Sequence, residues 1–130
     1  MKIEHVALQV PDPVAMADWY VQHLGCAIRR SAEAPLFVRF VIDDSGAAMM
    51  ELYRNPRVEP PDYAAMDPML VHVAFVSPDP RADRDRLIAA GASVAEDYVK
   101  TPAGDELVML RDPWGIALQL VRRADPMLRR

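Results

Sequence analysis

A chain of 130 residues, 52% of them hydrophobic, can bury the core of one domain without covalent staples. Its net charge of −4 argues against nucleic acid as a partner, because phosphate binding is normally carried by a basic surface. The single cysteine, Cys26, excludes an internal disulfide and fits a reducing compartment. No apolar run approaches the roughly 20 residues that a bilayer span requires, so no membrane partner is expected.

Met1-Lys2-Ile3-Glu4-His5 reads directly into a strand and lacks the charged-then-apolar pattern of an export signal, so a cytoplasmic location is expected. After Val10, the run Pro11-Asp12-Pro13 opens a helix, with Asp12 as its N-cap and Pro13 at the first helical position. Met16, Trp19, Tyr20 and Leu24 recur at near-helical spacing, and Gly25 ends the element. His23 reads as a surface residue and Cys26 as buried filler. A short strand fits Ala27–Arg30. Longer ones fit Leu36–Ile42 and Ala47–Tyr53, joined by the hairpin residues Asp43-Asp44-Ser45-Gly46. Residues 55–68 contain Pro56, Pro60, Pro61 and Pro68 and read as a linker.

The chain then repeats itself. His5-Val6-Ala7-Leu8-Gln9-Val10-Pro11-Asp12-Pro13 recurs as His72-Val73-Ala74-Phe75-Val76-Ser77-Pro78-Asp79-Pro80, an offset of 67 residues. A second helix runs through Leu87 and Ile88 and stops at Gly91. Strands fit Ser93–Asp97, Glu106–Arg111 and Ile116–Arg122, the last two joined by Asp112-Pro113-Trp114-Gly115. Each half reads β-α-β-β-β. The expected fold is therefore α+β: two tandem βαβββ modules forming a cupped mixed sheet within one domain. Module 1 spans about 1–54, the linker about 55–68, module 2 about 69–124 and a C-terminal tail about 125–130. Arg129-Arg130, with Arg122-Arg123, reads as a solvated cluster.

Strand alternation selects a site. In each first strand the apolar set (Val6, Leu8 and Val10; Val71, Val73 and Phe75) belongs under the helix, which turns His5 and His72 to the other side. In each last strand the same parity leaves Glu51 and Gln119 on that side. Four polar side chains at repeat-related inward positions would be costly to bury without a shared partner, and a divalent metal is the expected one. Alternation also places Phe37, Arg39, Val41, Met49, Tyr53, Leu107 and Met109 around the site. Arg39 is then a candidate for an anionic part of the substrate, and the methionines for adaptable apolar walls.

Ile3-Glu4-His5-Val6-Ala7-Leu8-Gln9-Val10, Trp19-Tyr20-Val21-Gln22-His23-Leu24-Gly25, Leu70-Val71-His72-Val73-Ala74 and Asp112-Pro113-Trp114-Gly115-Ile116-Ala117-Leu118-Gln119-Leu120 resemble the vicinal oxygen chelate superfamily. That group includes glyoxalase I, methylmalonyl-CoA epimerase, fosfomycin-resistance thiol transferases, extradiol dioxygenases and bleomycin-resistance proteins. The resemblance implies that His5, Glu51, His72 and Gln119 hold one divalent ion (nickel, cobalt, manganese, iron or zinc), in a set most similar to that of bacterial glyoxalase I. Gln119 departs from the glutamate that family enzymes usually carry, and a neutral amide cannot accept a proton. The dioxygenase reading then lacks its carboxylate at the family's positions, and the fosfomycin-type reading is disfavoured for the same reason. What remains is a glyoxalase-like metal-dependent lyase or isomerase acting on a small molecule by proton transfer beside a chelated carbonyl, with Glu51 as the base. The alternatives are an epimerase of the methylmalonyl-CoA type and a non-catalytic binder resembling bleomycin-resistance proteins. Family members frequently pair, so a homodimer is implied.

Overall fold

The structure is a computed structural model and describes residues 1–127; Arg129 and Arg130 of the expected basic cluster lie outside the described residues. The chain divides into two compact units, Met1–Pro61 and Asp62–Arg130, each with one helix on one mixed four-stranded sheet.

The first unit contains β1 (Val6–Gln9), α1 (Pro13–Leu24), β2 (Ala27–Ser31), β3 (Arg39–Ile42) and β4 (Met49–Tyr53). Its sheet order is β1-β4-β3-β2, with β1 parallel to β4 and the other pairs antiparallel. α1 begins where Asp12 accepts the Ala15 N–H at 3.0 Å. It ends where Gly25 takes φ +70°, a left-handed turn that a Cβ would oppose. Met16, Ala17 and Tyr20 are fully buried, and the helix lies against β2, β3 and β4 over Leu52 and Val41. His23 is half-buried, its ring 5.2 Å from that of Trp19, so it is not the surface residue that its late helical position suggests.

The second unit contains β5 (His72–Val76), α2 (Pro80–Ala89), β6 (Ser93–Lys100), β7 (Glu106–Arg111) and β8 (Ala117–Arg122), in the order β5-β8-β7-β6. β5 is parallel to β8, so the pairing pattern of the first unit recurs. Asp79 caps α2 by accepting from Arg81 and Ala82. Asp112 Oδ1 organises the β7–β8 turn by accepting the Trp114 and Ile116 N–H groups, each at 2.9 Å. Among the described residues, no helix is long and apolar enough to cross a membrane.

Several elements depart from the sequence reading. β3 begins at Arg39 rather than Leu36, because Leu36 and Phe37 form a turn in which Phe37 holds φ +50° and its N–H bonds the Glu33 carbonyl. Val6 keeps the predicted side of its sheet but is 59% exposed, at the first position of β1, whereas Leu8 on the same face is buried. The proline-rich stretch is partly structured: Tyr63–Ala65 forms a 3-10 turn with Tyr63 buried. Arg111 pins it by donating to the Tyr63 and Met66 carbonyls at 2.8 and 2.6 Å.

Candidate metal centre

Register fixes which side chains share a face. In the first unit Ala7 pairs with Glu51 and Gln9 with Tyr53, while Phe40 pairs with Glu51 and Ile42 with Met49. One face therefore carries Glu51, Met49, Tyr53, Phe40 and Ile42. The other carries Leu8, Leu52, Met50, Val41 and Arg39 under α1. His5, just ahead of β1, joins the first set: its Nε2 lies 3.2 Å from Glu51 Oε2.

In the second unit Ala74 pairs with Gln119 and His72 with Ala117, which puts His72 and Gln119 on one face, diagonally across β5 and β8. Met109 pairs with Gln119 and Leu107 with Val121, so both join them, Met109 fully packed. His5 precedes the partner of Glu51 by two residues, and His72 precedes the partner of Gln119 by two. The repeat seen in the sequence is thus a repeat in strand register. Each unit supplies one imidazole and one oxygen-bearing side chain.

The parity expected of β3 does not hold. Arg39 pairs with Leu52 and lies on the helix side, 8% exposed, with its guanidinium donating to the Ala32 and Val38 carbonyls and to Glu33. Val41 is buried beside it. Phe37 is outside the strand and 39% exposed. Arg39 and Phe37 therefore leave the candidate site. Phe40, not singled out in the sequence, takes the place on the Glu51 face: its ring meets that of His5 edge to face at 5.3 Å and 80°. The sequence contains no signal for this choice, since both faces of residues 38–42 are largely apolar.

Both imidazoles are oriented from their far side. His5 Nδ1 lies 2.9 Å from Glu4 Oε2, and His72 Nδ1 lies 3.3 Å from the Pro68 carbonyl oxygen. Those oxygens only accept, so each Nδ1 carries the proton of its hydrogen bond. His72 then presents an Nε2 lone pair, the usual ligand of a divalent transition ion. At His5, Nε2 and Glu51 Oε2 have the spacing of adjacent ligands: two bonds of about 2.1 Å at a right angle separate their donor atoms by about 3.0 Å. The donor chemistry of both pairs fits such an ion. Among the described residues, no group of three or more His, Cys, Asp or Glu side chains is arranged to hold a metal. Each unit therefore carries one such pair, His5–Glu51 in the first and His72–Gln119 in the second.

A pocket of about 270 Å³ opens on the first unit, lined by Lys2, Ile3, Glu4, Ile42, Ala47 and Met49 among others. Ile42 and Met49 belong to the Glu51 face, but neither His5 nor Glu51 lines this pocket.

The model of the Glyoxalase/Bleomycin resistance protein/Dioxygenase superfamily matches residues 2–120. A glyoxalase family protein from Bacillus cereus superposes with a TM-score of 0.78 at 17% identity, over 93% of each chain. The structure of SMU.1112c superposes with a TM-score of 0.72 at 27% identity, over 94% of this chain and 98% of that one. A glyoxalase I mutant from Zea mays gives 0.75 at 20% identity, over 95% of this chain and 46% of the maize chain. No curated protein matches the sequence significantly. With the family model spanning nearly the whole chain, the protein belongs to the Glyoxalase/Bleomycin resistance protein/Dioxygenase superfamily.

Proposed function

We propose that the protein is a metal-dependent lyase or isomerase of the glyoxalase type, acting on a small carbonyl compound, with His5, Glu51, His72 and Gln119 as ligands of one divalent ion. The observation that carries this reading is the shared register of His5–Glu51 and His72–Gln119 in the two repeats. When bound, the ion would supply Lewis-acid polarisation of a substrate carbonyl. The carbon beside that carbonyl then gives up its proton more readily, and Glu51 is the one member of the set able to take it. Glu51 Oε2 is turned to His5, which leaves Oε1 to receive the proton and return it to the neighbouring carbon. Gln119 can orient a substrate oxygen but cannot carry a proton. This favours single-base isomerisation over an epimerisation that employs a base on each face. Met49, Tyr53 and Met109, on the same faces as these residues, form apolar walls that limit water access. On this reading the protein is a cytoplasmic homodimer, a location that its single buried cysteine suits.

A non-catalytic binder is the second reading, favoured by the neutrality of Gln119 and by Phe40 and Tyr53 on one face. The two are separated by incubating ion-loaded protein with a panel of 2-oxo and 2-hydroxy carbonyl compounds in deuterated water and following exchange at the α-carbon by proton NMR. The enzyme reading predicts exchange of at least one compound, lost at least a hundredfold in Glu51→Gln with the fold intact. Binding without exchange, or full exchange by the variant, contradicts it.

A further inference from the structure

Both histidines have their Nδ1 engaged by an oxygen, but the two oxygens differ in charge. His72 donates to a neutral main-chain carbonyl, and His5 to the carboxylate of Glu4. Glu4 precedes β1, so its side chain is free of strand alternation and can curl round to the ring of the next residue. Its partner ring is flanked on the other nitrogen by Glu51 at 3.2 Å and on its edge by Phe40. His5 is thereby held on three sides, and Glu4 is the one charged holder not assigned to the candidate ligand set.

Charge gives this contact a role. Glu51 is the one carboxylate among the four candidate ligands, and Gln119 contributes none. A carboxylate accepting the Nδ1–H of a ligating imidazole pushes electron density toward Nε2 and fixes both tautomer and ring orientation. It also adds a second negative charge near the cation through the ring. We infer that Glu4 is a positioning residue of the candidate metal centre: it holds His5 with Nε2 toward Glu51 and supplies, from behind the ring, the negative charge that the ligand at position 119 lacks. The inference rests on the metal-dependent reading above. A mere surface ion pair is the competing account. With Glu4 77% exposed such a pair adds little to folding stability, so its removal would leave ion affinity and ring geometry unmoved.

The test uses the full chain with zinc alone as the probe. Zinc affinity is measured by competition with a chromogenic chelator for wild type, Glu4→Ala and Glu4→Gln, and the His5 ring nitrogens of the metal-free proteins are followed by NMR. Glu4→Ala is expected to bind zinc about ten- to a hundredfold more weakly. Glu4→Gln, which keeps an acceptor oxygen but not the charge, should fall between the two. The His5 Nδ1–H signal should shift in both variants while the metal-free melting temperature stays unchanged. Affinities of both variants within about twofold of wild type would overturn the role of Glu4 and leave the metal centre standing. A wild-type chain that takes up no zinc, nickel, cobalt, manganese or iron would overturn both.

Discussion

Burial raises the pKa of the Cys26 thiol from 9.0 to about 11, and the nearby carboxylates Asp43 and Asp44 push in the same direction. The thiolate is the reactive form, so the folded protein at pH 8 should alkylate with iodoacetamide roughly a hundredfold more slowly than the unfolded chain. Mass spectrometry of the time course measures this directly; equal rates would contradict it. The sign for stability follows from a raised folded-state pKa: the contribution is complete below 9.0 and is lost as pH climbs through about 11. Cys26 as filler was legible in the sequence, because it is the one cysteine of the chain and belongs to no Cys-x-x-Cys motif. Arg39 was not. Val38, Phe40, Val41 and Ile42 surround it, so alternation offers two apolar faces and does not choose between them; pairing with Leu52 chooses. The same pairing hides Phe40 from a sequence reading. Glu4 was hidden for another reason: strand parity would point it away from His5, and it lies before the strand begins.

At the scale of elements, the caps and turns were the most legible features, because each rests on one residue with one local task. Asp12 and Asp79 cap the two helices, and Asp43 and Asp112 each organise a hairpin. Gly115 closes the second hairpin at φ +89°, where a Cβ would come within 2.7 Å of the Ala64 nitrogen. Gly46 closes the first at φ +71° with nothing near its missing Cβ. Gly46→Ala should therefore cost about 1 kcal/mol from backbone strain alone, and Gly115→Ala about 2 kcal/mol more through its collision with the 3-10 turn. Denaturant midpoints measure both; equal costs would contradict the close approach. That turn was the part of the linker the sequence concealed. Proline content marks the stretch as irregular, but the two carbonyl bonds that Arg111 makes to it span more than forty residues. β6 also runs to Lys100, further than its composition suggests, because bulges keep it paired along β7.

The whole molecule is organised by duplication, and duplication is what a single sequence displays best. The recurring His-Val-Ala and Pro-Asp-Pro fragments mark the first strand and the helix of each half, and alternation with the hairpin residues marks the strands that follow. In the structure, the same fragments occupy equivalent positions in two sheets of identical strand order. Individually, His5, Glu51, His72 and Gln119 would be unremarkable half-buried polar residues. Their equivalence in register is what recommends them as one ligand set. What the sequence left out is the set's support: Glu4 and the Pro68 carbonyl behind the imidazoles, and Phe40 against the edge of His5. The central claim is that the paired residues exist to hold an ion. Elemental mass spectrometry of protein prepared without an affinity tag or chelator tests it most directly, with His5→Ala and His72→Ala alongside. The account predicts about one divalent transition ion per chain in the wild type, lost in either variant. Wild-type protein that carries none, and takes up none when nickel, cobalt, manganese, iron or zinc is offered, would contradict it.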